Sequence, residues 1–220
     1  IKSVVVRQPS LRWPVSPELS QVMTGNRVTG ISRRAKYLLF STNTGRMMVH
    51  LGMSGSLRIT NGSTALKKHD HIDIVFDDGT VLRYHDPRRF GSVFWIPEGS
   101  SHELIESLGP EPLSDEFNGT YLYELSRRRK LAIKLFIMNS KVVVGVGNIY
   151  ANEALHAAGI RPDRLAGRVS RARYATLSQE IKDVLTSAIS SGGTTLRDFV
   201  REDGTPGYFK QSLLVYGRGN

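Results

Sequence analysis

The sequence predicts an α+β protein: an N-terminal antiparallel β-sandwich domain followed by a helical domain. Three observations predict it. Residues 1–96 break into seven short runs rich in Val, Ile, Leu, Phe and Tyr, separated by Gly, Asn and Asp. From residue 118 onward the apolar residues recur at helical spacing instead. Between these halves lies Leu108-Gly-Pro-Glu-Pro112, where two prolines stiffen the chain. The expected division is therefore a β domain over 1–108, a linker over 109–117 and a helical domain over 118–220.

Taken in order, the strands are expected over Ile1–Arg7, Arg34–Thr42, Arg46–Leu51, Ser56–Thr60, His71–Phe76, Thr80–His85 and Gly91–Ile96. Asp77-Asp78-Gly79 falls between two alternating runs and reads as a hairpin turn. The first helix is expected over Asn118–Met138, with Asn118 as N-cap and Tyr121, Leu122, Leu125, Leu131, Ile133 and Leu135 at helical spacing. A second runs from Gly147 to Ala158 and stops at Gly159. A third runs from Ser170 to Ser191, capped by Ser170 and stopped by Gly192-Gly193. No internal repeat or low-complexity tract interrupts this order.

Composition narrows the class of partner. Thirty Lys and Arg against 20 Asp and Glu leave a formal charge of +10. So large an excess points to a polyanion, nucleic acid before an anionic membrane surface. No cysteine is present, which excludes disulfides and thiolate-bound metal within these residues. No apolar run reaches the roughly 18 residues of a membrane helix, so a membrane partner is not expected.

Three segments carry candidate chemistry. In Tyr84-His-Asp-Pro-Arg-Arg-Phe-Gly91, an exposed turn would present two arginines and an aromatic ring. Arginine can pair with phosphate or a base edge, and Phe90 can insert between bases. The alternative is a Phe that anchors its loop to the core beside solvated arginines. In Val143-Val-Gly-Val-Gly-Asn-Ile-Tyr-Ala-Asn-Glu153, two glycines lead into a helix start whose amides can hold a phosphate. The competing reading is a close-packed helix–helix turn, against which stand the basic residues Arg127-Arg-Arg-Lys130, Lys134 and Lys141. The third segment, Gly192 to Phe209, is rich in Gly and polar residues, as ligand-covering loops are. By contrast, His69-Asp-His-Ile-Asp73 lacks a third ligand on one strand face, so no metal is expected there.

Further short segments complete a pattern. Arg33-Arg-Ala-Lys-Tyr37, His50-Leu-Gly-Met-Ser-Gly-Ser56, Lys68-His-Asp-His71, Asp86-Pro-Arg-Arg-Phe-Gly91, Leu108-Gly-Pro-Glu-Pro112, Gly145-Val-Gly-Asn-Ile-Tyr-Ala151 and the Gly-rich segment from 192 occur in this order along the chain. Together they resemble formamidopyrimidine-DNA glycosylase, the bacterial 8-oxoguanine glycosylase and AP lyase. The resemblance implies a β-sandwich, a helical domain with a helix–two-turn–helix motif, a C-terminal zinc ribbon, and DNA held between the two domains. It implies base-excision repair in the bacterial cytoplasm, by a monomer acting on damaged double-stranded DNA. The enzyme would flip out and excise oxidised purines (8-oxoguanine, formamidopyrimidines) and cut the strand by elimination. An endonuclease VIII-like glycosylase for oxidised pyrimidines is the alternative activity. A DNA-binding core without catalysis is the alternative role.

The resemblance also distributes roles. Lys36 matches a lysine implicated in proton transfer. Met53, Arg88 and Phe90 match the residues that fill the void, hold the orphaned base and wedge the stack. His50, His69, Arg89, Arg129, Lys134, Lys141 and Asn148 match DNA-binding positions. Glu153, Thr194, Thr195 and Tyr208 match the region around the extruded base. Two departures stand out. The family nucleophile is an N-terminal proline, and the zinc ligands are four cysteines of the ribbon. This chain begins at Ile1 and has no cysteine. Both ends read as cuts, so the chain as written is expected to be catalytically inactive, with zinc confined to the complete family protein.

Overall fold

The computed structural model describes residues 1–192, 213–215 and 217. It is α+β, and its described residues divide into two compact units, Ile1–Ile105 and those from Glu106 onward.

The first unit is a sandwich of two four-stranded antiparallel sheets. Strands β1 (Ser3–Val6), β6 (Asp70–Val75), β7 (Thr80–His85) and β5 (Ser56–Asn61) form one sheet in that order. Strands β2 (Gly30–Arg34), β3 (Tyr37–Ser41), β4 (Gly45–His50) and β8 (Ser92–Pro97) form the other. Inward side chains of both sheets, among them Val4, Phe40, Met47, Val49, Ile72, Ile74 and Trp95, make one buried cluster. A short helix α1 (Leu19–Met23) adds Leu19 and Met23, both fully buried, to the same core. Strand β4 is buried on both faces, because Met48 also packs with Leu39 and Ile96 behind the second sheet. The expected hairpin forms between β6 and β7: Gly79 has φ +84°, and Asp78 Oδ1 accepts from the Thr80 amide at 2.8 Å.

Two elements depart from expectation. The run read as Arg34–Thr42 holds one strand, β3, and the strand before it, β2, was not expected; a tight turn in which Ala35 takes φ +55° joins the two. Strand β2 is exposed along most of its length, so no apolar alternation marks it. Helix α1 is the second departure, a single turn too short to show periodicity.

A short helix α2 (Glu103–Glu106) leads into the second unit. Its helices are α3 (Gly119–Ser126), α4 (Ile133–Met138), α5 (Asn148–Ala157) and α6 (Arg171–Ser190). Asn118 caps α3 by accepting from the Tyr121 amide at 3.0 Å, and Ser170 caps α6 from the Arg173 amide at 3.4 Å. Gly159 ends α5 with φ +62°. The single helix expected over Asn118–Met138 is instead α3 and α4. Arg128 takes φ +63°, and the backbone of 129–133 hydrogen-bonds residues 164–167 rather than continuing a helix. Residues 109–117, read as a linker, are packed onto this unit. The Gly109 amide donates to Ser140, the Val144 amide to Pro110, and Phe117 is fully buried in the helical core.

Candidate nucleic-acid interface

In the β unit, the candidate residues gather around one buried carboxylate. Asp86, with no exposed surface, opens the turn that leads to Gly91. It accepts from the Gly91 amide at 2.8 Å, the Tyr84 hydroxyl at 3.1 Å and the Ser54 hydroxyl at 3.2 Å. Its own carbonyl meets His71 Nε2 at 2.8 Å and accepts the Arg89 amide at 3.2 Å. Burial, then the neighbouring Asp86 charge and hydrogen bond, push the Tyr84 phenol well up, so it stays a proton donor. Asp86 thus ties the 51–55 loop to the 86–91 turn.

The two loops are also in backbone contact. A Cβ on Gly52, which has φ +68°, would lie 2.6 Å from the Phe90 carbonyl carbon and the Gly91 nitrogen. A Cβ on Gly91 would collide with the Tyr84 hydroxyl and the His50 carbonyl. Only glycine permits this approach. As a result Met53, 66% exposed, and Phe90, 42% exposed, project from adjoining loops. Arg88 lies over the Phe90 ring, 4.7 Å from its centroid. Phe90 is therefore no core anchor. Large apolar side chains held outward by a buried polar clasp are unusual on a surface with nothing to cover them.

Beside them, His50 ends β4, and its ring tilts against Tyr37 at 5.0 Å. His50 Nδ1 accepts the Gly52 amide at 2.9 Å, which leaves Nε2 as the N–H in the neutral imidazole. Burial, then the charges of Lys36 and Arg12, lower the His50 pKa, with Asp86 opposing them. A neutral imidazole keeps one N–H, so it can donate to a phosphate without being protonated. Lys36 follows the left-handed Ala35. Although exposed as a residue, its amine has enough protein around it for burial to lower its pKa. Arg12, whose amide donates to Gly91 at 3.1 Å, joins this group. Sequence reasoning passed over it, because a lone arginine before a tryptophan carries no pattern.

His69 lies against the same clasp, its carbonyl accepting the Asp86 amide at 3.1 Å. It does not share a strand face with His71, since it precedes β6 at φ +81°. Burial and then the neighbouring Lys68, His71, His85 and Arg89 charges lower its pKa. The rings of His71 and His85 lie 6.0 and 6.2 Å from it, but His85 Nδ1 is taken by Asp70 at 2.8 Å. Among the described residues no group of three His, Cys, Asp or Glu is placed to hold a metal ion.

In the helical unit, the expected contacts fall into two groups. Arg129 and Lys134 flank the start of α4, with Arg129 exposed and Lys134 partly so. Lys141 and Asn148 lie at either end of the turn into α5, both exposed. Gly145, at φ +79°, bends that turn, and Gly147 caps α5 in extended conformation with no side-chain hydrogen bond to the first amides. An anion can take that place. Arg127 is spent on structure instead. It lies over the Tyr123 ring at 3.9 Å and donates to the Tyr123 and Val169 carbonyls.

Glu153 is 4% exposed, and its two oxygens accept the Leu214 and Val215 amides at 2.7 and 3.1 Å. It anchors that segment to α5, while Leu213 packs on Ala188. Thr194, Thr195 and Tyr208 lie outside the described residues.

Residues 1–93 match the formamidopyrimidine-DNA glycosylase N-terminal domain, and residues 108–200 match the H2TH domain of the same proteins. The chain belongs to the formamidopyrimidine-DNA glycosylase family. It is 58% identical over 220 residues to the formamidopyrimidine-DNA glycosylase of Thioalkalivibrio sulfidiphilus, covering 99% of this chain and 81% of that protein. Identity to the Marinomonas glycosylase is 60% over 219 residues, covering 99% and 80%. Among solved structures, the complex of Lactococcus lactis Fpg with an abasic-site-containing DNA superposes with a TM-score of 0.88 at 30% identity, covering 99% of this chain and 80% of that one. MutM bound to DNA containing carbocyclic 8-oxo-G matches at 0.88 and 31%, with the same coverage. No helix among the described residues is long and apolar enough to cross a membrane.

Proposed function

We infer that this glycosylase-family protein binds damaged double-stranded DNA and acts in base-excision repair, removing oxidised purines and cutting the strand by elimination. The observation that carries the reading is the clasped pair of loops that holds Met53, Arg88 and Phe90 outward together. Extrusion of a nucleotide leaves a gap in the stack and an unpaired partner base. Phe90 enters the stack beside the gap, and Met53 fills the volume the base vacates. Arg88 turns its fork to the acceptors of the orphaned base. His50, His69 and Arg89 bind phosphates on this side. Arg129, Lys134, Lys141 and Asn148 do so from the helical unit. Lys36, its amine pKa lowered by burial, moves a proton at the deoxyribose during elimination. Thr194, Thr195 and Tyr208 contact the extruded base, on a segment whose far end Glu153 positions.

The test compares duplexes with and without a stable abasic-site analogue. The wild type should prefer the abasic duplex. Phe90→Ala should lose that preference by roughly tenfold, about 1.4 kcal/mol, while retaining affinity for intact duplex. Equal affinity of the wild type for both duplexes would remove the basis of the proposal. So would equal loss on both by the variant.

A further inference from the structure

A second basic feature lies outside the residues assigned so far. Between α5 and α6, Arg161, Arg164, Arg168 and Arg173 line an open cavity of about 530 Å³ with Gly159 and Leu165. Asp163 is the one acid in its lining, and Arg161 already holds it through two bonds of 3.1 and 2.7 Å. Four guanidinium groups therefore face one carboxylate. Among the described residues, Arg164, Arg168 and Arg173 have no ion-pair partner.

Two of these side chains are set in place by backbone carbonyls. Arg164 donates Nε and Nη2 to the Arg168 carbonyl at 3.4 and 3.1 Å, and Arg173 donates Nη2 to the Gly159 carbonyl at 2.9 Å. Each guanidinium has five N–H groups, so most remain available to a ligand. Like charges held together by neutral carbonyls repel one another, and an anion between them relieves that repulsion.

The location indicates which anion. The segment that carries these arginines is stitched to the start of α4. The Ile133 amide donates to Arg164, the Lys134 amide to Pro162, and the Gly167 amide to Arg129. The cavity thus lies on a segment whose backbone is bonded to that of Arg129 and Lys134. Among the described residues its lining offers no aromatic ring to stack a base and no amide side chain to read one. It is built for a phosphate chain rather than a nucleobase.

We propose that Arg161, Arg164, Arg168 and Arg173 form an additional phosphate-binding pocket that grips the DNA backbone flanking the segment held by Arg129 and Lys134. The proposal rests on the DNA-binding reading above. It extends the footprint of the protein along the duplex without adding sequence or lesion preference.

The decisive experiment measures the salt dependence of binding to a short duplex confined to the lesion and to a longer one with intact flanks. Each neutralised phosphate contributes about 0.9 to the slope of log K against log salt. Arg168→Gln removes a side chain with no hydrogen bond among the described residues, so folding should be untouched. It should lower the slope on the long duplex by about 1, and Arg164→Gln with Arg168→Gln by about 2. The Lys replacements should restore the slope, and the short duplex should be unaffected. Unchanged slopes on the long duplex would overturn the pocket. So would saturable tripolyphosphate binding, lost in the double variant, alongside an unchanged DNA slope. If the wild type does not distinguish abasic from intact duplex, the lesion-recognition reading fails. The slope on long intact duplex still decides the pocket.

Discussion

Asp73 and Asp70 lie inside the first sheet among cationic partners. Asp73 receives Arg83 through bonds of 2.8 and 2.9 Å and Arg7 at 2.7 Å. Asp70 receives Arg58 at 2.7 Å and His85 at 2.8 Å. Burial raises both carboxyl pKa values. For Asp73 the Arg83 and Arg7 hydrogen bonds and charges outweigh it, and for Asp70 the Lys67 amide, His85 and Arg58 do, so both end below the model-peptide value of 3.8. A carboxyl lowered in the folded state stabilises the fold above its unfolded pKa, and that stability fades as pH falls through the folded value. Asp73→Asn should therefore flatten the loss of stability below pH 3.8. It should also cost about 1–3 kcal/mol at neutral pH, since buried Arg83 loses its two-bond carboxylate and, of carboxylates, keeps only the 3.7 Å approach to Asp70. Urea unfolding at a series of pH values reads both effects, and an acid limb as steep as the wild type's would rule out this linkage. At this scale the sequence showed residue types but not their assignments. Arg88 and Phe90 were legible because one contiguous motif carries them, whereas Met53, in a separate segment, was named only through the family resemblance. The clasp at Asp86 was not legible, because its donors Ser54, Tyr84 and Gly91 come from separate strands and loops.

Helices α3 and α6 approach so closely that no side chain fits at Gly119. A Cβ there would run into the Ala175 backbone and come within 2.9 Å of the Tyr174 carbonyl carbon. Gly119→Ala should destabilise the helical unit by about 1–3 kcal/mol through overpacking, although alanine is the better helix former. A lower urea midpoint with an unchanged m-value is the expected signature, and an unchanged midpoint would mean the helices separate freely. Elements with local start, stop or turn signals were readable, as α5 ending at Gly159, α6 starting at Ser170 and the β6–β7 hairpin at Asp77-Asp78-Gly79 demonstrate. The break between α3 and α4 was not. Leu125, Leu131 and Leu135 keep helical spacing across it, while the segment between them pairs with residues 164–167, nearly forty positions away. Strand β2 escaped notice for the opposite reason, since an exposed edge carries no apolar code.

Across the whole molecule, the charge of +10 is unevenly used. Arg7, Arg58, Arg83 and Arg127 serve the fold, whereas the arginines of the 88–89 turn and of the 161–173 segment remain outward. Composition foretold a polyanion, but only three-dimensional placement separates structural cations from those that can meet it. The burial of β4 on both faces has a consequence in time. Amides whose exchange requires opening the entire sandwich trade hydrogen for deuterium slowest, while those in loops trade through local fluctuations. Met47, Met48 and Val49, paired to β3 and β8 and shielded on either side, should lie in the slowest class. Gly52, Met53 and Phe90, only a few residues from that strand or its partner, should lie in a fast one. Deuterium uptake followed by mass spectrometry would show the division, and a uniform rate along 45–55 would refute it. His50 stands at that boundary: its ring is carried by a strand that scarcely opens, beside loops free to adjust within that strand's lifetime.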